Sequence, residues 1–390
     1  MSTSGSGAEA GYGGAPELER LSDLDGAWPV AGQGPRLRAV ERAAAGLRER
    51  FASGPRALGV RTLPITTLAY PSKYAFWGAA FSPAPYVIMT HRALCVQFLQ
   101  HGEPKTLLFN PTDHVASRQT PFFARMIEQV GDYVAFNLLQ KTMSPIESQL
   151  AELGLTPASI DYVAFDHFHT QDLRPLLGTT DGEHRARFPN ARLLAPRTEW
   201  NDWDDLHPFQ RAWFVADGKK NVATARIVLT DSDLSLGDGV MLVRTPGHTS
   251  GNQTLFVATD DGVWGCSENG TCADNWAPRR SEIKGLARLC RMQDLDVVIN
   301  ANTPEFGATQ YTSMMLERAL VDRSKKAPDF YQMFPSSEVT PSAIAPGLRP
   351  TLLWKSLEHG SVAQRRATRP DVVGSVGSLG AQVDTLSERT

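Results

Sequence analysis

A chain of 390 residues, 42% of them hydrophobic, is long enough to bury a sizeable core. Its 39 basic and 42 acidic residues are mixed along the sequence and leave a formal net charge of -3, which speaks against nucleic acid or an anionic membrane as a partner. Four cysteines (Cys95, Cys266, Cys272 and Cys290) are too few for a disulfide framework and form no C-x-x-C pair, so they read as reduced thiols.

The first fifteen residues are rich in Gly, Ser and Ala and predict a disordered tail at 1–15. They carry no basic and apolar leader, and no later run approaches the length that spans a bilayer, so a cytoplasmic protein with no membrane partner is expected. Residues 36–51 place Leu37, Val40, Leu47 and Phe51 at helical spacing among Arg and Glu, an amphipathic helix. Short runs rich in β-branched and aromatic residues at 60–70, 86–90, 94–99 and 106–110 predict an antiparallel meander. Helices are expected at 120–140 and at 144–153, the second with Ser144 as N-cap, Pro145 at its first position and Gly154 at its end.

A buried strand at 161–165 runs into Asp166-His167-Phe168-His169-Thr170-Gln171-Asp172. In an extended chain residues two apart share a face, so His167 and His169 present two imidazoles together, half of a metal site. His248, in Thr245-Pro246-Gly247-His248-Thr249-Ser250-Gly251, offers the third ligand. Between these motifs lie a strand at 189–195, an insert carrying Trp200, Trp203 and Trp213, and strands at 225–229 and 240–244. Runs at 253–259 and 262–266 joined by Asp260-Asp261 read as a hairpin. Helices at 281–292 and 314–325 flank a buried strand at 295–300, and a docked C-terminal extension at 331–360 leads to a second disordered tail at 361–390. The strands fall into two clusters, 60–110 and 161–300, which two sheets packed face to face with helices outside would accommodate.

The approach to the His-x-His, the Thr-Pro-Gly-His-Thr-x-Gly segment, a strand ending in an acid and a buried strand ending in a polar turn resemble, in that order, the metallo-β-lactamase superfamily. The resemblance spans residues 86–311 and implies one domain at 16–330: an α+β, four-layer αβ/βα sandwich with an N-terminal helical segment and a metal site at one edge. This chain departs from the family's pattern on one side. Gln171 and Asp172 stand where the first motif usually continues Asp-His, Glu268 stands where an Asp usually bridges two metals, and Asn302 stands where a final His is usual. The resemblance therefore implies His167, His169 and His248 as ligands of Zn2+, one per chain, with Glu268 and Asp172 adding an oxygen ligand or taking a proton from water; a weakened second metal site through Asp172 and Glu268 is the alternative. Asn302 would steady developing charge.

Three neutral imidazoles and one open position suit zinc, while a His and carboxylate set also suits iron or manganese. The expected function is metal-dependent hydrolysis of a small apolar or aromatic substrate (an ester, lactone or activated aryl ether), with the Trp-rich insert as substrate wall. The alternatives are an iron-dependent oxidative enzyme on the same fold and a non-catalytic partner subunit, in a homo- or hetero-oligomer with a related chain. Asp172 as the N-cap of a following helix is the structural alternative to its role at the metal. A serine hydrolase is excluded by spacing, since Gly265-Cys266-Ser267-Glu268-Asn269-Gly270 does not place glycine where G-x-S-x-G needs it.

Overall fold

The computed structural model describes residues 12–363. The tails expected at 1–15 and 361–390 fall mostly outside that range, but their described residues are docked. The Tyr12 hydroxyl accepts a hydrogen bond from Trp200 Nε1, and the Ala363 amide donates to Gln97 Oε1.

In chain order the elements are β1 (Glu19–Leu21), α1 (Gln33–Ser53), β2 (Gly59–Pro71), β3 (Tyr86–Gln100), β4 (Glu103–Phe109), α2 (Pro121–Val130), α3 (Ile146–Glu152) and β5 (Tyr162–Ala164). There follow β6 (Arg192–Pro196), α4 (Arg197–Asp202), β7 (Ile227–Thr230), β8 (Asp233–Gly237), β9 (Val240–Arg244), β10 (Gln253–Thr259), β11 (Gly262–Ser267) and α5 (Leu286–Gln293). The chain continues through α6 (Gly307–Leu320), β12 (Met333–Pro335), β13 (Ser337–Thr340) and β14 (His359–Gly360). One sheet has the order β1-β8-β9-β10-β11-β12, and the other β14-β2-β3-β4-β5-β6-β7 with β13 also paired to β3.

The sheets face each other across one apolar layer. Val96, Phe98, Leu107 and Phe109 from one sheet meet Leu242, Leu255, Val257 and Phe334 from the other, all buried. Outside the second sheet, Ile146 and Leu150 of α3 and Leu286 of α5 join a core with Leu108, Val163 and Leu193. Outside the first, Val40, Ala44 and Leu47 of α1 and Met314 and Leu320 of α6 cover Met241, Val243 and Phe256. Each fully buried side chain of this size contributes about 1.5–3 kcal/mol, so the apolar layers dominate the energetics. The architecture is the four-layer αβ/βα sandwich.

Several local expectations change. The runs at 86–90 and 94–99 are one continuous strand, β3, because Thr90 and His91 remain in register with Thr67 and Thr66 on β2. The helix expected at 120–140 stops at Val130, where Gly131 takes a positive φ of 78°, and resumes as a short turn at Asp132–Val134 that runs into a π-helical turn at Ala135–Leu139. The stretch at 295–300 is buried from Val297 on but forms no strand, since its amides bond singly to scattered carbonyls, Val298 to Asn275 in a short helix and Asn300 to Asn269. The helix expected from 314 begins seven residues earlier, at Gly307. The sheet boundary lies between β7 and β8, so the two sequence clusters do not map one to each sheet.

The C-terminal residues are more than a docked segment. β12 pairs parallel to β11 in one sheet and β13 pairs antiparallel to β3 in the other, so the chain crosses between sheets at Ser336. Arg92 of β3 fixes that crossing: it bonds Glu338 at 2.9 Å and the Pro335 carbonyl at 2.5 Å, and stacks over Phe334. Both partners of the Arg92–Glu338 pair are 2% exposed, a burial that is tolerable only because the charges meet each other directly.

Candidate metal centre

The two histidine motifs lie in loops at the same edge of the sandwich. β5 ends at Ala164, so His167 and His169 sit beyond the strand rather than within it. Their proximity, with ring centroids 4.8 Å apart, is set by tertiary bonds and not by strand alternation. Asn110, at the end of β4, receives the Asp166 amide on Oδ1, and the Gln253 amide of β10 donates to the Asp166 carbonyl at 2.8 Å. Thr170 closes the loop with a positive φ of 63°.

A buried carboxylate ties the two loops together. Glu199 of α4, 1% exposed, accepts the Phe168 amide on Oε1 at 2.9 Å and the Gly251 amide on Oε2 at 3.1 Å. Gly251 must be glycine here, because a Cβ would meet Glu199 Cβ at 2.5 Å. Gly247, with φ of 149°, approaches α6 so closely that a Cβ would lie 2.2 Å from Gln310 Cα.

The three histidines converge, their candidate ligand atoms all within 4.8 Å of one another. His169 Nδ1 and His248 Nε2 are 3.2 Å apart, whereas two nitrogens about 2.0–2.1 Å from one tetrahedral zinc lie about 3.3 Å apart. The far nitrogens of His167 and His169 support the same reading. His167 Nδ1 is 2.8 Å from Asp166 Oδ1, which keeps a proton on Nδ1 and makes Nε2 the nitrogen that a metal would take. His169 Nε2 is 2.6 Å from Gln210 Oε1, and Gln210 Nε2 donates to Glu305 Oε1 at 2.9 Å, so the amide is oriented and Nδ1 keeps its lone pair. His248 Nδ1 is buried without a partner. Burial, with the charge of His167, pushes His169 and His248 well below the usual imidazole range and keeps both neutral. Burial also pulls on His167, but the Asp166 carboxylate outweighs it and raises this imidazole to about 9 in the metal-free chain. The three imidazoles present fit the ligand set of a metal ion.

A chain of polar groups runs from the histidines toward the sheet crossing. The Ser336 hydroxyl donates to Asp166 Oδ2 at 2.6 Å and lies 3.2 Å from Glu268 Oε2. Ser337 Oγ is also 3.2 Å from Glu268 Oε2, and 3.0 Å from His91 Nδ1. Glu268 is thus held at the end of β11 beside the cluster, and burial lifts its carboxyl to about 7 against the pull of His167. Asp166, His167 and Glu268 form a second group of potential ligand atoms.

The remaining residues named from the sequence separate. Asp172 is not brought to the cluster: its Oδ1 and Oδ2 bind Arg174 Nε and Nη2 at 2.9 and 2.6 Å, and Oδ1 accepts the Arg174 amide. The carboxylate is committed to a local ion pair two residues on, and is in neither group of potential ligands. Gln171 turns its Nε2 back to the His169 carbonyl. Asn302 lines the cleft above the histidines, and neither its Nδ2 nor its Oδ1 has a partner.

That cleft opens to solvent and spans about 910 Å³, open solvent included. Its wall differs from the expected Trp-rich one. Trp200 and Trp203 are spent under the motif, with Trp203 packed 5.3 Å from Phe168, and only Trp213 of the three reaches the cleft. The apolar wall comes instead from α2 and the π-helical turn, through Phe123, Met126, Ile127, Phe136 and Leu139. Trp264 and Trp276 lie elsewhere, the latter donating to Glu317 Oε2.

Sequence reading missed Asp166, Glu199, Gln210, Ser336 and Ser337. Asp166 had a signal, an acid directly before a ligand histidine that can orient the ring. The other four come from distant segments, and no local pattern marks them.

No family model matches the chain. Solved structures similar to it include a probable metal-dependent hydrolase from Staphylococcus aureus, at 14% identity and TM-score 0.46, covering 66% of this chain and 82% of the other. AidC, a dizinc quorum-quenching lactonase, aligns at 12% identity and TM-score 0.45 over 74% of this chain and 92% of its own. AbOPH, a hydrolase in the β-lactamase superfamily, aligns at 14% identity and TM-score 0.38 over 67% and 84%.

Proposed function

We propose that this protein is a metal-dependent hydrolase with His167, His169 and His248 as ligands of one zinc ion per chain. The observation that carries the reading is the 3.2 Å approach of His169 Nδ1 to His248 Nε2, with the opposite nitrogen of His169 pinned by Gln210 and that of His167 by Asp166. When bound, a zinc ion with an open position supplies Lewis acidity and lowers the pKa of water to about 7.

The chain's own groups supply the rest. Glu268 Oε2 is held by Ser336 and Ser337, while Oε1 has no hydrogen bond among the described residues, so a proton leaving the attacking water is taken at Oε1. A carboxyl raised to about 7 accepts and returns a proton near neutral pH. Asn302 Nδ2, unbonded and facing the cleft, donates to the oxygen on which negative charge grows. Phe123, Met126 and Leu139 exclude water and receive the apolar body of the substrate, an ester, lactone or activated aryl ether.

Purified protein should contain close to one zinc per chain by mass spectrometry. His169→Ala should lose that zinc and at least about a thousandfold of ester hydrolysis, because several kcal/mol of transition-state stabilisation depend on the metal. Full activity in metal-free protein would sink the reading. Iron in place of zinc, with oxygen uptake on adding substrate, would replace hydrolysis by an oxidative reaction.

A further inference from the structure

The cleft has a second polar end, remote in sequence from the histidine motifs. Thr112, His114, Ser117 and Arg118, from the loop after β4, line it together with Gln140, which follows the π-helical turn. Arg118 Nε donates to Gln140 Oε1 at 3.1 Å, and its guanidinium carbon lies 4.1 Å over the Phe136 ring. Stacking and a bond from Nε hold the group while leaving its Nη donors as a planar fork.

No carboxylate among the described residues pairs with Arg118. Arg187, close by in the fold, shows the contrast: Asp113 and Glu147 bind it. Thr112 adds an independent sign of unmet demand. It is 7% exposed, and its hydroxyl has no hydrogen-bond partner. A buried hydroxyl without a partner and an unpaired guanidinium on one cleft both call for an oxygen acceptor that the protein does not supply.

We propose that this end of the cleft is an anion subsite, in which Arg118 and Thr112 bind a carboxylate carried by the substrate apart from the bond that is cleaved. The inference rests on the hydrolase reading and names its substrate class: a carboxylate-bearing ester or lactone whose apolar spacer lies along Phe123, Met126 and Leu139. A planar fork matches a carboxylate through two parallel bonds, a match that a neutral acyl chain of equal length cannot make.

The test uses zinc-loaded full-length protein and two slowly cleaved anilides, glutaranilate and valeranilide, which differ by a carboxylate in place of a methyl group. Calorimetry should show glutaranilate binding at least about tenfold more tightly. The preference should vanish in Arg118→Gln and survive in part in Arg118→Lys. Equal binding of the two anilides by the native protein overturns the subsite. So does a preference that persists in Arg118→Gln, since the carboxylate would then sit on the zinc.

Hydrolysis gives a separate readout. Mono-4-nitrophenyl glutarate should exceed 4-nitrophenyl pentanoate in kcat/KM by about the same factor, mainly through KM. If neither ester is cleaved while the anilide preference holds, the subsite stands and the hydrolase reading falls.

Discussion

The floor and the wall of the cleft are built by different physics. On the floor, His167 and His169 each have their outer nitrogen fixed, by Asp166 and by Gln210, and those partners are fixed in turn by Ser336 and Glu305. On the wall, Met126 and Leu139 belong to a small satellite cluster with Ala69 and Ile88, separate from the main core, and no comparable chain of hydrogen bonds holds them. Hydrogen-bonded chains with one solution fix atoms to a fraction of an ångström, whereas apolar contacts accept many arrangements. The floor therefore has the properties required for chemistry, and the wall those required for choosing a substrate.

The strongest way to break that comparison is to remove the clamp under the floor. Glu199→Ala leaves the Phe168 and Gly251 amides buried without an acceptor, and each orphaned group costs about 1–3 kcal/mol. Urea unfolding should show the variant destabilised by about 2–5 kcal/mol, and metal titration should show both histidine loops losing their metal affinity together. A variant as stable as the native chain would mean that Glu199 does not hold the floor.

A smaller cut leaves the fold and loosens one ligand. Gln210→Ala removes the acceptor at His169 Nε2 and frees the ring to rotate or change tautomer. Loss of such an outer partner lowers metal affinity about 10–100-fold. Competition with a zinc chelator measures it, and unchanged affinity would show that the orientation of His169 is set by packing against Trp213 and Phe214 instead.

The floor was the more legible region in the sequence, though only in its innermost layer. His167 and His169 announce themselves by spacing, and His248 by its flanking glycines, whose close approaches to Glu199 and Gln310 leave no room for a side chain. Asp172 reads the same whether it faces a metal or Arg174. The choice is made by a pairing two residues away, which the sequence displays but does not rank. Glu199, Gln210 and Ser336 carry no local signal because their roles exist only once α4, the Trp-rich insert and the sheet crossing are assembled. The strand clusters suggested two packed sheets, and the four-layer sandwich was implied by the resemblance that the histidine motifs carry. The buried stretch at 295–300 misled because burial alone does not distinguish a strand from a loop whose amides are satisfied one at a time. Wall residues were hidden by an attractive decoy: tryptophans look like a binding surface, yet Trp200 and Trp203 pack beneath Phe168.

The mildest test concerns the wall alone. Met126 is 7% exposed and touches the cleft, so truncation removes apolar surface from the substrate's side and from the satellite cluster, leaving every ligand and its partners untouched. At about 25 cal/mol per Å² the lost contact amounts to about 1–2 kcal/mol, or about 5- to 30-fold in affinity. Met126→Ala should therefore raise KM for an apolar ester by that factor while kcat and zinc content stay near native, the signature of binding lost equally from ground state and transition state. A fall in kcat with retained zinc would show that the wall also positions the reacting bond. Loss of zinc would show more, because a metal that responds to Met126 must be coupled to α2 through contacts other than the hydrogen bonds from Asp166 and Gln210, and the division between a rigid floor and an adaptable wall would not hold.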